Sequence, residues 1–186
     1  MTTIAAIQGE GFTVVGFDSQ ISSDNRVYLL PNGIKKVSKN GNYLIGAAGD
    51  LRAVNLLADI PLPDAENLSG VKLDKFVSTK VIPVIRGYFE TNGYTKDGNQ
   101  EFDIILCVNG IVFEIADDYC WARDVAGIYG IGSGSSFALG ALHSMAGAKV
   151  TVEEAKTYLK EAITISSYLD SGTGGTIHIA VQYKDN

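Results

Sequence analysis

Thr3-Ile4-Ala5-Ala6-Ile7-Gln8-Gly9-Glu10-Gly11-Phe12-Thr13-Val14-Val15-Gly16-Phe17 sets two short apolar runs on either side of Gly-Glu-Gly. Glycine takes a positive φ without strain, so Gly9-Glu10-Gly11 is hairpin chemistry and the flanking runs are predicted to pair as antiparallel strands. The same grammar continues downstream. Asp18-Ser19-Gln20 leaves the second strand, and Ser22-Ser23-Asp24-Asn25 is expected to be a polar turn before Val27–Leu30. Pro31-Asn32-Gly33 predicts another turn, Ile34–Val37 a strand, and Asn40-Gly41 a hairpin before Tyr43–Ala48. Closely spaced short strands joined by tight turns point to antiparallel sheets.

After Gly49 the apolar period changes. Leu51, Val54, Leu56 and Leu57 fit a short helix with Asp50 as its cap, ending before Pro61-Leu62-Pro63. A longer helix is predicted over Leu73–Glu90, with Pro83 as a kink. Asn92-Gly93 to Asn99 reads as a polar loop. Phe102–Val108 and Ile111–Ile115 flank an Asn109-Gly110 turn, and Tyr119–Arg123 and a run approaching Gly132 are further strands. Helices are predicted at Ser135–Met145 and Glu153–Tyr168, the second opened by the capping box Thr151 with Glu154, and Thr176–Tyr183 is the last strand. The order is strands, two helices, strands, two helices, one strand. It is an α+β pattern, and two antiparallel sheets with a helix pair on each outer face, a four-layer αββα sandwich over residues 1–186, bury every apolar face.

Composition narrows the function. Of 186 residues, 46% are hydrophobic and 19% charged, as in a globular domain. A net charge of −6, with Lys35-Lys36 the one basic pairing, excludes the clustered cations that a nucleic-acid partner requires. Cys107, Cys120, His143 and His178 lack metal-ligand or disulfide spacing, and no apolar run is long enough for a membrane span or secretory leader. A reducing, cytoplasmic setting is expected, with neither a disulfide framework nor a zinc site.

Several short segments carry candidate chemistry. If Met1 is removed, Thr2 presents a hydroxyl nucleophile beside a free α-amine that can act as its base. Asp18 ends the second strand in Val15-Gly16-Phe17-Asp18-Ser19-Gln20, and Lys36 lies in Ile34-Lys35-Lys36-Val37. If side chains alternate there, only one of Lys35 and Lys36 can face inward. Gly49 ends Gly46-Ala47-Ala48-Gly49, where a backbone N–H can approach a substrate. Gly130-Ile131-Gly132-Ser133-Gly134 before a helix superficially suggests a dinucleotide loop, but its strands are hairpin-paired and no ribose-binding acid follows about 20 residues on. Leu169-Asp170-Ser171-Gly172-Thr173-Gly174-Gly175 holds a further acid and hydroxyl.

On these segments the sequence resembles the β-type peptidase subunits of the proteasome family, and at its start especially the HslV-type subunit, all of them N-terminal-nucleophile hydrolases. The resemblance runs from Thr2-Thr3-Ile4 to the last strand. It implies a single hydrolase domain and a threonine endopeptidase with Thr2 as nucleophile, Asp18 and Lys36 as the charged pair beside it, and Gly49 N–H as oxyanion donor. Ser133 would hold the nucleophile's amine, supported by Asp170 and by Thr173, which stands where many members have serine. Ile21, Ser22, Ile34, Ala47 and Leu51 would line the first specificity pocket, favouring an uncharged, hydrophobic residue before the cut. The resemblance further implies chemistry without metal or organic cofactor, an unfolded-polypeptide substrate, homo-oligomeric stacked rings and an ATP-dependent unfoldase ring as partner. A silent structural ring subunit and a small-molecule amidohydrolase of the same superfamily are the alternatives.

Overall fold

The computed structural model describes residues 2–23, 26–31, 35–94, 101–147 and 149–184. Strands β1 (Ile4–Gly9) and β2 (Phe12–Phe17) form the expected hairpin, turned at Gly11 with φ 77°. The first half of the predicted polar turn, Ser22-Ser23, is instead strand: β3 (Gln20–Ser23) pairs with β4 (Arg26–Leu29) as a two-stranded ribbon. Backbone pairing overrides the turn-like composition of Ser22-Ser23, while residues 24 and 25 of that prediction lie outside the described residues. The strand expected at Ile34–Val37 is displaced: β5 spans Val37–Asn40, leaving Lys35 and Lys36 before it, and residues 32–34 lie outside the described residues. Strand β6 (Tyr43–Gly49) follows.

Helix α1 (Leu51–Ala58) begins at Asp50, but that side chain makes no cap bond and its carboxylate accepts from the Tyr94 hydroxyl at 2.8 Å. The long helix runs as α2 (Gly70–Phe76), a π-helical turn (Val77–Val81) and α3 (Ile82–Thr91). Pro83 has no N–H to donate, and the wider turn before it is where the hydrogen-bond ladder changes register. Then come β7 (Phe102–Val108), β8 (Ile111–Ile115), the two-residue β9 (Trp121–Ala122) and β10 (Ile128–Ile131). Helices α4 (Ser135–Met145) and α5 (Val152–Leu169) precede β11 (His178–Tyr183), and the Thr151–Glu154 capping box is present on α5.

The strands form a four-stranded sheet in the order β10-β1-β2-β11 and a five-stranded sheet in the order β5-β6-β7-β8-β9, every pairing antiparallel. Three apolar clusters separate four layers. Ile4, Ala6, Val15, Phe17 and Ile131 of the first sheet meet Val37, Leu44, Ile105 and Val112 of the second. Ala5, Ile7 and Val14 face the opposite way, onto Leu142, Leu159 and Ala162 of α4 and α5. Ile45, Ile104, Leu106 and Phe113 pack on Leu57, Leu73, Ile85 and Phe89 of the other helices. Two glutamines tie the sheets together: Gln8 Oε1 accepts from Val112 N–H at 2.9 Å and Gln182 Oε1 from Gly110 N–H at 2.8 Å. Among the described residues, no helix is long and apolar enough to cross a membrane.

Candidate active site

Strand ends from both sheets meet at one edge of the sandwich. Thr2 and Thr3 lead into β1, Asp18 follows β2, Ser133 follows β10 and Gly174 precedes β11. From the second sheet, Lys36 precedes β5 and Gly49 ends β6. Asp18 is fully buried, and Lys36 is 2% exposed with Nζ 2.7 Å from Asp18 Oδ1. The same carboxylate accepts backbone N–H groups from Thr3 (3.0 Å), Gln20 (3.1 Å) and Gly174 (3.0 Å). Burial pulls the Lys36 pKa below its ordinary value, opposed by the Asp18 charge. Between the two lysines the sequence left open, Lys36 is the one facing inward; Lys35 is exposed.

A second cluster gathers on Thr2. Thr2 N–H donates to Ser133 Oγ at 3.2 Å, and Ser133 Oγ in turn donates to Asp170 Oδ2 at 2.7 Å. Thr173 Oγ1 donates to the same Oδ2 at 2.7 Å, and Gly172 N–H to Oδ1 at 3.1 Å. Burial alone would raise the Asp170 pKa, but the bonds from Thr173, Ser133 and Gly172 outweigh it and hold the group below the ordinary carboxylate value.

Three glycines are dictated by contact. Gly132 has φ 90°, and a Cβ on it would lie 2.2 Å from the Thr2 carbonyl oxygen; one on Gly134 would lie 2.1 Å from Thr3 Oγ1. Gly49, at φ 99°, has room for no Cβ, which would meet Glu101 O at 2.1 Å. Strand β5 accompanies β6 only as far as Gly46, so among the described residues no strand flanks the Ala47–Gly49 edge on that side.

A cavity of about 290 Å3 opens between these parts, lined by Thr2, Lys36, Ile21, Ser22, Ala47, Gly49, Asp50, Leu51 and Val54. Of the pocket residues expected from sequence, Ile21, Ser22, Ala47 and Leu51 are there, and Ile34 lies outside the described residues. Asp50 and Val54 were not foreseen in this wall; Asp50 resembled a helix cap and Val54 an ordinary core residue. Beyond Gly49 a cavity of about 470 Å3 is lined by Ser133, Glu101, Asp103 and Asp117. Burial, and then the neighbouring Asp117, raise the Asp103 pKa. Sequence reasoning also missed Thr3, whose hydroxyl lies 2.6 Å from Thr173 Oγ1, and Ser166, whose hydroxyl reaches Gly134 O at 3.1 Å.

Solved structures share this architecture. BPH of Thiobacillus denitrificans, in complex with epoxomicin, superposes with a TM-score of 0.77 at 16% identity, over 99% of this chain and 100% of that one. The eukaryotic HslV of Trypanosoma brucei gives 0.67 at 18% identity, over 97% and 99%. The chain therefore has the proteasome-type fold that these structures share. An Anbu (Gly-1) mutant from Hyphomicrobium sp. strain MC1 gives 0.72 at 14% identity, over 100% of this chain and 84% of that one. No family profile and no curated protein matches the sequence. In this proteasome-type fold, Thr2 lies two residues before the first strand, between the two clusters.

Proposed function

We propose that the chain is a threonine-type endopeptidase subunit whose nucleophile is Thr2, exposed by removal of Met1. The observation that carries this reading is the convergence on Thr2. Its nitrogen rests on the Ser133–Asp170 pair, and it shares a cavity wall with Lys36, itself fixed by Asp18.

The donor inventory directs the chemistry. A freed α-amine has an ordinary pKa of about 7.7–8.0, and the Lys36 cation favours its neutral form. Asp170, ionised, only accepts; Ser133 gives it its single proton and so accepts an N–H from Thr2. That bond fixes the amine with its lone pair available to the Thr2 hydroxyl. The amine takes the hydroxyl proton as the oxygen attacks the peptide carbonyl, while Gly49 N–H donates to the oxyanion and Lys36 stabilises the developing charge. The C–N bond then breaks, the leaving nitrogen takes the proton from the Thr2 ammonium, and water hydrolyses the ester.

The β6 edge at Ala47–Gly49, unflanked among the described residues, suits an extended polypeptide, which supplies its own backbone pairing. Ile21, Ala47, Leu51 and Val54 favour an apolar side chain before the cut, with Asp50 as one polar wall. An assembly of identical subunits into stacked rings, fed by an ATP-dependent unfoldase in the cytoplasm, completes the proposal.

The test is the intact mass of the protein together with hydrolysis of a hydrophobic fluorogenic peptide by wild type and Thr2→Ala. Active material lacks Met1, and Thr2→Ala is inactive yet folded. Epoxomicin, held by the Thiobacillus BPH, binds the wild type and not Thr2→Ala. Full turnover by Thr2→Ala, or by protein retaining Met1, overturns the mechanism, and a wild type without Met1 that cleaves no peptide favours a structural subunit.

A further inference from the structure

We propose that Thr3 is a positioning residue: its hydroxyl stands at the head of the hydrogen-bond chain that orients the nitrogen of Thr2. The inference rests on the peptidase reading for its consequence in catalysis, but its geometry is independent of it.

Thr3 is completely buried and belongs to both halves of the site. Its backbone N–H donates to Asp18 Oδ1 at 3.0 Å, and its side-chain oxygen lies 2.6 Å from Thr173 Oγ1. Either hydroxyl of that second pair could donate on distance alone, and counting protons decides between them. Ser133 and Thr173 both lie 2.7 Å from Asp170 Oδ2, which as a carboxylate oxygen has no proton to offer. Each hydroxyl owns one proton, so both are committed to Asp170. Thr173 can then only accept from Thr3, and Ser133 only accept from Thr2. The chain runs Thr3 to Thr173 to Asp170, met from the other side by Thr2 to Ser133 to Asp170.

Direction has an energetic consequence. A hydroxyl that accepts a hydrogen bond is polarised into a stronger donor. The Thr3 proton therefore strengthens the Thr173 bond that helps keep Asp170 ionised and in place. Nothing else among the described residues substitutes for it: over the bare Cα of Gly134, Thr3 Oγ1, Thr173 Oγ1 and Asp170 Oδ2 converge so closely that a Cβ would lie 2.1, 2.6 and 3.0 Å from them. Valine at position 3 would keep the threonine shape and remove the proton; serine would keep the proton and remove a methyl.

The experiment compares Thr3→Val, Thr3→Ala and Thr3→Ser with wild type. Titration of the Asp170 carboxyl by carbon-13 NMR needs no activity. Its midpoint rises in Thr3→Val and Thr3→Ala and returns to the wild-type position in Thr3→Ser. With a fluorogenic peptide, kcat falls about tenfold or more in the two variants lacking the hydroxyl while KM stays within about twofold, because the loss is one of alignment rather than binding. The acid limb of the kcat/KM profile moves up in the same variants, and Thr3→Ser restores it. An unchanged midpoint in both variants lacking the hydroxyl overturns the inference, as does a raised midpoint in Thr3→Ser, which remains decisive if the others fail to fold. Failure of the peptidase reading is separate: it shows as full activity in Thr2→Ala and leaves the NMR comparison standing.

Discussion

Replacing Lys36 with methionine keeps the length of the side chain and deletes its charge. In the wild type, Nζ is 2.7 Å from Asp18 Oδ1, with the side chains 2% and 0% exposed, so the substitution strands a buried carboxylate. Removing one partner of a buried pair costs about 3–5 kcal/mol. Two features move this case to the lower bound. Asp18 retains N–H donors from Thr3, Gln20 and Gly174, and the burial that depresses the Lys36 pKa shows that the lysine itself carries a desolvation cost which methionine does not. The expected loss is therefore about 3 kcal/mol, or about 6–12 °C in Tm for a chain of this size. Denaturant unfolding and thermal melts at one fixed protein concentration measure it. Exposed Lys35→Met serves as the control and stays within about 0.5 kcal/mol. A loss below about 1 kcal/mol in Lys36→Met, the range of solvent-exposed pairs, would refute the buried-pair argument. At 25 °C the same variant is expected to lose about 10²–10³ in kcat on a peptide substrate.

Gly134→Ala drives a Cβ to 2.1 Å from Thr3 Oγ1 and is expected to cost about 1–3 kcal/mol together with most of the activity, read from unfolding curves and initial rates. Asp170 has a folded pKa below its ordinary value, so its stabilisation is present above about pH 4 and is lost as pH falls through the folded midpoint. Asp170→Asn therefore shows a flatter loss of stability between about pH 5 and pH 2, measured by denaturant midpoints. Burial pushes the Cys107 thiol up to about 12, whereas Cys120 is exposed. Iodoacetamide should thus alkylate Cys120 in the folded protein and reach Cys107 only on unfolding, as peptide mass spectrometry would report.

What the sequence revealed follows from where local pattern and tertiary structure agree. The β1–β2 hairpin and the Thr151–Glu154 capping box carry their own turn and cap chemistry, and both stand where the pattern puts them. Strand β3 escaped because its ribbon with β4 offers no buried face: Val27 and Leu29 are 58% and 64% exposed, leaving no alternation to read. Strand β5 slipped because Val37 is its one apolar residue, so Ile34–Val37 looked the better strand. In the site, charged and hydroxylated residues in unusual loops drew notice one by one. Thr3 did not, since a β-branched residue opening a strand needs no explanation until its hydroxyl is seen beside Thr173, 170 positions away.

The electrostatics of the site are a consequence of how the sheets end. Inside a sheet every N–H is committed to a neighbouring strand; at a strand terminus the ladder stops and N–H groups become available. The β1–β2 ladder closes at Ile4 with Phe17, and the β2–β11 ladder at Phe17 with His178. Just past those pairs lie Thr3, Asp18, Gln20 and Gly174, and the three N–H groups there turn onto the Asp18 carboxylate. Asp18 is thus held in place beside Lys36 by donors that sheet termination releases, so the site depends on strand register as much as on side-chain identity. Register in the first sheet is set at the far end of the hairpin, at Glu10-Gly11, about 24 Å from Thr3 at about 3.4 Å per residue. One residue inserted in that turn would exchange the inward and outward faces of a strand or extend a loop. If β1 shifts, Thr3 N–H leaves Asp18, and Thr2 leaves Ser133, without any site residue having been changed.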